Sequence, residues 1–176
     1  MNMDRSSGIL LHISSLPSPY GIGTLGKEAY AFADFLKAAG QTYWQLLPLG
    51  PTSYGDSPYQ SFSTFAGNPY FIDLDLLIAD GLLEGAELEG IDWGGDPRHV
   101  DFGRIYENRF AVLRRAFRRG WDRDRAAVEA FARENPWLPN YALYMAVKSH
   151  FGMKSWLEWP DAVSYTHLRA HETDSY

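Results

Sequence analysis

Tyr54, Ser57 and Tyr59 lie in one short run, YGDSPY, and are the residues of this chain best suited to touch a ligand. Their hydroxyl groups can exchange hydrogen bonds with sugar oxygens, and the two tyrosine rings can underlie a sugar ring. Structural packing is the competing explanation for the same side chains. Asp56, inside the run, more simply holds the turn through its own backbone. The surrounding stretch from Gly50 to Tyr70, GPTSYGDSPYQSFSTFAGNPY, places five aromatic side chains in twenty-one residues among turn-forming Gly, Pro, Ser and Asn. A loop so loaded either packs down as a shelf or presents its rings to a ligand.

Other candidates carry less. Asp73 and Asp75 form the most visible carboxylate pair, and a retaining glycosidase needs two carboxyl groups about 5 to 5.5 Å apart. Capping of a short helix explains them better. His12, near the end of an apolar run, divides between a hydrogen-bonded structural histidine and the wall of a site. His99 and His150 have no partner at metal-ligand spacing, and His167 and His171 fall in a terminal segment of different composition, so no metal site is expected. Ser14, Ser15, Ser57, Ser61 and Ser63 lack the strand-turn-helix context of a nucleophile. Gly21, Gly23 and Gly26 spell G-x-G-x-x-G, but SSLPSPY separates them from the preceding strand and no acidic residue ends the next one. They read as turn glycines needing positive φ rather than as a dinucleotide site, and no cofactor is expected.

The elements that position the loop can be read around it. GILLHI, from Gly8 to Ile13, fits a strand buried on both faces. Gly26 to Gly40 reads as an amphipathic helix, with Ala29, Phe32, Phe35, Leu36 and Ala39 at helical spacing and Gly40 as its C-terminal cap. TYWQLLPL, from Thr42 to Leu49, returns to strand composition and stops at Gly50-Pro51. Strand, helix and strand at this spacing make a βαβ unit with parallel neighbours, and the aromatic loop follows the second strand at its C-terminal end, where such folds place ligands.

Beyond the loop, Phe71 to Gly81 reads as a short extended segment and a short helix capped by Asp73 or Asp75, and Leu82 to Val100 as an irregular excursion. Tyr106, Phe110, Leu113 and Phe117 form one apolar stripe of a helix ending before Gly120. A second helix is expected from Asp122 to Glu134, and a third from Pro139 or Asn140 to Phe151, apolar on two sides. Eight arginines between Arg104 and Arg125 alternate with acidic residues and read as a solvated helix face, favoured by the helix dipole at Arg118 and Arg119.

Composition bounds the alternatives. At 176 residues the chain has the length of one domain with a real core, and its 45% hydrophobic and 22% charged residues are those of a globular protein. A formal net charge of -6 argues against general nucleic-acid binding. No apolar run is long enough to span a membrane. The absence of cysteine and of a secretory signal at MNMDRSSG fits a bacterial-type cytoplasm. Aromatic residues make 15% of the chain, which suits surfaces on which sugar rings stack.

GILLHISSLPSPYGIGTLG, then YWQLLPLGPTSYGDSPYQSFSTFAGNPYFIDLDLL, and later WLPNYALYMAVKSHFG with SWLEWP, closely resemble the N-terminal portion of amylomaltases, the 4-alpha-glucanotransferase or disproportionating-enzyme family. The likeness spans about residues 5 to 162; one small departure is Asn140, where the family usually has an acidic residue. The resemblance implies an α/β fold, a TIM barrel with helical insertions, that transfers α-1,4-glucan segments between maltodextrins by a retaining double displacement. It also implies substrate contacts at Ser57 and Tyr59, and a second glucan contact at Tyr54. A complete barrel needs about 250 residues, so an incomplete barrel is expected over residues 1–163, two βα units followed by a helical insertion from about 101. Residues 164–176, SYTHLRAHETDSY, read as a non-native tail. The family's catalytic carboxylates lie beyond the matched motifs, so no catalytic residue is assigned and the chain alone is expected to be inactive. The alternative is a non-catalytic α-glucan-binding module. Oligomeric state is not legible in the sequence.

Overall fold

The structure, a computed structural model, describes residues 5–53 and 55–160. Tyr54 and residues 161–176, among them His167, His171 and the expected non-native tail, lie outside the described residues. The chain divides into two compact units, Met1–Arg125 and Ala126–Tyr176. It is helical, with one two-stranded sheet among the described residues.

In the first unit, β1 (Gly8–Leu10) and β2 (Tyr43–Gln45) pair in parallel, with Gly8 opposite Tyr43 and Ile9 opposite Trp44. Gly8 allows that approach, since a Cβ there would stand 2.5 Å from the Tyr43 carbonyl oxygen. Between the strands runs α1 (Lys27–Ala38), whose end is the predicted glycine cap. Gly40 takes φ +70°, its N–H donates to the Lys37 carbonyl at 3.1 Å, and the Gln41 N–H donates to the Leu36 carbonyl at 2.9 Å. Phe32 of α1 meets the Trp44 ring edge-on at 4.9 Å, and the Trp44 indole N–H donates to the Leu11 carbonyl at 2.7 Å.

The expectation that the first strand is buried on both faces is corrected. Ile9 is 41% and Leu10 56% exposed, so both faces of the strand are open to solvent at these residues.

The G-x-G-x-x-G reading is also revised in its cause. Gly21 has φ +75°, but Gly23 and Gly26 do not take positive φ. A Cβ on Gly23 would collide with the Ile13 carbonyl oxygen, and one on Gly26 with the Asp73 carboxylate. These two glycines serve close approach of neighbouring chain segments.

After the loop, a 3-10 turn Pro69–Phe71 leads into α2 (Leu74–Ala79). Asp73 is its N-cap, accepting from the Leu76 N–H at 2.9 Å, as one of the two expected assignments had it. The excursion after α2 is less irregular than its sequence suggests. Leu83 and Leu88 are buried with Leu74, Val112 and Ala116 in a second apolar cluster.

α3 (Phe102–Glu134) is one continuous helix where two were expected. Gly120 does not end it: a Cβ there would stand 2.7 Å from Leu82 Cδ2, so the glycine makes room for the excursion instead. The buried stripe is Ile105, Arg109, Val112 and Ala116, whereas Tyr106 and Phe117 of the expected stripe are exposed. In the second unit α4 (Trp137–His150) starts before Pro139, which sits in the first turn where its missing N–H costs nothing. Tyr144 and Phe151 both pack against the buried Trp159 at centroid distances of 5.8 and 5.7 Å.

Candidate functional site

The Gly50 to Tyr70 loop is folded on itself by short-range bonds that its composition supplies. Thr52 and Ser61 form an antiparallel bridge, and Gly50 lets them close because a Cβ there would meet Ser61 Oγ at 2.4 Å. Ser63 Oγ accepts from the N–H groups of Phe65 and Ala66 at 3.3 and 3.0 Å. At the base, the Asn68 N–H donates to the Leu49 carbonyl at 2.8 Å, and the buried Asn68 side chain accepts from the Tyr70 N–H at 3.0 Å. The serines and asparagine of this stretch therefore replace the sheet and helix bonds the loop lacks.

Gly55 and Asp56 take φ +92° and +53° in succession and reverse the chain at the loop tip. Aspartate tolerates the left-handed region better than most side chains. Its carboxylate is bonded by the Thr52 hydroxyl at 3.4 Å rather than by its own backbone, while the Asp56 N–H donates to the Ser53 carbonyl at 3.0 Å. Burial raises the Asp56 pKa, opposed by the Thr52 bond.

Ser57 and Tyr59 are brought together just past this reversal. Ser57 Oγ accepts from the Tyr59 N–H at 3.4 Å, and the Gln60 N–H donates to the Ser57 carbonyl at 3.1 Å. Ser57 is half-buried, whereas Tyr59 is 72% exposed and presents its ring to solvent. Phe65 of the same loop is 70% exposed. Tyr54, the third expected contact, lies outside the described residues.

Beneath the loop the aromatic content turns inward. Tyr70 is buried against Phe110 and Phe102 of α3, at centroid distances of 5.7 and 6.4 Å, and burial pushes its hydroxyl up to about 12 with the Asp56 carboxylate adding to the shift. His12 meets the Phe71 ring edge-on at 5.3 Å, its Nδ1 buried without a partner, and desolvation lowers its pKa. The hydrogen bond expected of a structural histidine is not made at Nδ1.

Arg109 is the residue that sequence reasoning placed wrongly. Counted within a solvated arginine face, it is wholly withdrawn from solvent. It donates through Nη2 to the Ile72 carbonyl, while Nε and Nη1 have no partner. Desolvation brings its pKa down to about 10 against the opposing pull of Asp73 and Tyr70. Its position four residues after Ile105 and three before Val112 was the available signal, because it shares their helical face.

The exposed arginines also do something more specific than solvation. Arg119 pairs with both Glu87 oxygens at 2.7 and 3.1 Å and donates to the Leu82 carbonyl at 3.0 Å; Arg123 donates to the Asp80 carbonyl at 2.8 Å. They grip the excursion after α2. The helix-dipole argument for Arg118 and Arg119 fails, since α3 runs on to Glu134.

Asp73 and Asp75, which follow the loop in sequence, are each hydrogen-bonded within the fold. Asp73 caps α2 and accepts from the Thr24 hydroxyl, and Asp75 accepts from the Tyr20 hydroxyl. No group of three or more metal-ligating side chains occurs among the described residues.

An aromatic, hydroxyl-rich loop thus follows the second strand of a parallel strand-helix-strand unit, the end at which α/β folds commonly place ligands. Comparison with known proteins is more particular. A family profile described as 4-alpha-glucanotransferase matches residues 11–175, and the chain belongs to that family. It is 55% identical over 160 residues to a 4-alpha-glucanotransferase of Streptococcus pneumoniae serotype 4, covering 90% of this chain and 32% of the relative. With the 4-alpha-glucanotransferase of Thermus thermophilus it shares 50% identity over 165 residues, covering 91% of this chain and 32% of the relative. Among solved structures, the amylomaltase of Streptococcus agalactiae in complex with acarbose superposes with a TM-score of 0.87 at 46% identity, covering 90% of this chain and 32% of that one. The chain thus spans about a third of the length of the relatives it matches.

Proposed function

We propose that this chain is the glucan-cleft portion of a 4-alpha-glucanotransferase, the whole protein transferring α-1,4-glucan segments between maltodextrins by a retaining double displacement. Its fold is then the first part of a (β/α)8 barrel over residues 1–163, with β1 and β2 as two of the barrel strands and a helical insertion from about residue 101. The observation that carries the reading is the loop itself in a chain of this family: Tyr59, 72% exposed, stands beside the half-buried Ser57. Ser57 and Tyr59 contact the glucan, and Tyr54 supplies a further contact. The relative solved with acarbose, a sugar-like ligand, supports this choice of ligand.

Catalysis lies outside this chain. Transfer needs two carboxyl groups, one to attack and one to exchange protons. Near the loop, Asp73 and Asp75 are each bound into a cap or a tyrosine hydrogen bond. Maltotriose incubated with the purified chain is accordingly expected to yield no disproportionation products, and products above background would refute the assignment.

The alternative, a glucan-binding module acting without catalysis, is favoured by the exposed rings of Tyr59 and Phe65. Titration with maltoheptaose, followed by tryptophan fluorescence, decides between a binding chain and an inert one. If the chain binds, Tyr59→Ala is expected to weaken affinity about threefold to tenfold, the value of a lost aromatic contact. Unchanged affinity in that variant would remove Tyr59 from the site.

The cytoplasm is the proposed location; no helix among the described residues is long and apolar enough to cross a membrane. Residues 164–176 are proposed to be non-native. The family match runs on to residue 175, so the coding DNA beyond Val163 is the test.

A further inference from the structure

Arg109 is buried on α3, where it donates from Nη2 to the Ile72 carbonyl while its Nε and Nη1 have no partner. A guanidinium taken out of water is costly unless its donors are met, and an apolar side chain of similar volume commonly serves a core as well or better. Stability alone therefore does not call for arginine at this position. What it does that an apolar residue could not is grip a main-chain carbonyl of another segment.

That carbonyl lies at the exit of the Gly50 to Tyr70 loop. The loop's entrance follows β2, and its two stems are tied where the Asn68 N–H donates to the Leu49 carbonyl at 2.8 Å. Past Asn68 the exit stem runs along α3. The Tyr70 ring packs on Phe102 and Phe110 at centroid distances of 6.4 and 5.7 Å, and Arg109 then holds Ile72. The Ile72 side chain is 43% exposed, so this residue is fixed through its backbone and not by burial of its own side chain. The stem is also felt at the tip, since the Asp56 carboxylate adds to the upward shift of the Tyr70 hydroxyl while Arg109 opposes it. Asp56 immediately precedes Ser57.

We propose that Arg109 is a positioning residue for glucan contact: by gripping the Ile72 carbonyl it fixes the exit of the loop against α3, and so holds Ser57 and Tyr59 in the conformation that meets an α-1,4-glucan. The guanidinium touches no sugar and acts through Ile72 and Tyr70. A loop ordered before binding loses less freedom on binding, so the grip is read out as affinity. The inference rests on the glucan reading of Ser57 and Tyr59, but the order of the loop is measurable without a ligand.

The test compares the whole 176-residue chain with Arg109→Met and Arg109→Lys, by hydrogen exchange without ligand and by maltoheptaose titration followed through tryptophan fluorescence. Arg109→Met fills the space without a donor. Exchange in peptides spanning 55–66 is expected to speed at least about tenfold, and maltoheptaose affinity to weaken by a similar factor. Arg109→Lys keeps a cation and a donor for this one-point contact, and is expected to bring both back to within about threefold of the parent. Arg119→Met removes a cation from the same helix at its exposed pair with Glu87, and is expected to leave the loop as in the parent. A merely structural arginine gives another pattern: general loss of stability speeds the slowest amides of α1 and leaves the loop, which opens locally, unchanged. That pattern, a lysine variant as impaired as methionine, or a loop opened equally by Arg119→Met overturns the inference. Should Arg109→Met not fold, Arg109→Gln, neutral but with a side-chain N–H, replaces it and is expected to speed loop exchange at least about threefold; exchange equal to the parent's is then the adverse result. A parent chain that does not bind maltoheptaose overturns the glucan half of the inference, whereas a binding parent with unchanged affinity in Arg109→Met overturns the positioning half alone.

Discussion

Ile13, Leu74, Ile105 and Val112 are wholly withdrawn from solvent in the unit that ends at Arg125, whereas in the unit that begins at Ala126 the buried residue among those described is Trp159. Both units are rich in apolar side chains, so composition does not separate them. What separates them is whether another element of the same unit faces each apolar stripe. Ile105, Val112 and Ala116 of α3 meet turns and the α2 region in the first unit, but α4 has no buried residue and Leu143 remains 47% exposed. An amphipathic helix gains most of its stability from the surface it packs against. The first unit is expected to persist as a folded body when the second has opened.

The largest effect that could break this contrast is a cavity. Leu74→Ala or Ile105→Ala removes a fully buried side chain and is expected to cost about 3 kcal/mol in urea unfolding. Leu143→Ala trims a half-exposed side chain and is expected to stay within about 0.5 kcal/mol. Equal losses would show that α4 has a core of its own and would dissolve the distinction between the units.

Arg109 gives a sharper probe, because it is a cation inside the better-packed unit. Arg109→Ala leaves both a cavity and an Ile72 carbonyl without its donor, and is expected to cost about 2 to 4 kcal/mol. Arg109→Met fills the space and removes a charge whose Nε and Nη1 have no partner, but leaves the Ile72 carbonyl without its donor as alanine does, so it is expected to cost about 1 to 2 kcal/mol, less than alanine. If Met proves as costly as Ala, the guanidinium contributes through its polar interactions, the bond to the Ile72 carbonyl among them, and not through the space it fills. Thermal unfolding monitored by circular dichroism reads both variants.

The same residue shows where the sequence stops being readable. Strand, helix and strand, their parallel pairing, the Gly40 cap and the Asp73 cap follow from local signals: an apolar run, a helical period, a residue able to take positive φ, a carboxylate before a helix. The stripe of α3 does not, because Arg109 occupies an inward position and Tyr106 and Phe117, apolar in composition, face outward. Gly120 reads as a stop and is instead a gap for Leu82, a contact between segments distant in sequence. In the loop, Ser57 and Tyr59 stand out by composition and by resemblance to the family, while the bond between them, the left-handed turn at Asp56 and its bond from Thr52 depend on how the loop closes. Local periodicity reports which residues could be buried, and only the neighbouring element decides which are.

The smallest expected effect concerns pH and again falls on the first unit. His12 has its Nδ1 buried without a partner against Phe71, and burial lowers its pKa from the ordinary 6.5. Unfolding restores the ordinary value, so the unfolded chain binds the proton more readily. The contribution of the neutral ring is therefore fully present above about pH 6.5 and is lost as pH falls through the lower folded value. Melting temperature is expected to decline from pH 7 toward pH 5, and the slope is expected to flatten in His12→Gln, which keeps a polar side chain but does not titrate. Hydrogen exchange followed over the same range, corrected for the intrinsic pH dependence of exchange, should place the loss of protection in peptides around Ile13–Ser15 and α1. An identical slope in parent and variant would assign the acid sensitivity to groups other than His12, and acid-induced opening confined to α4 would place the pH-sensitive element in the second unit.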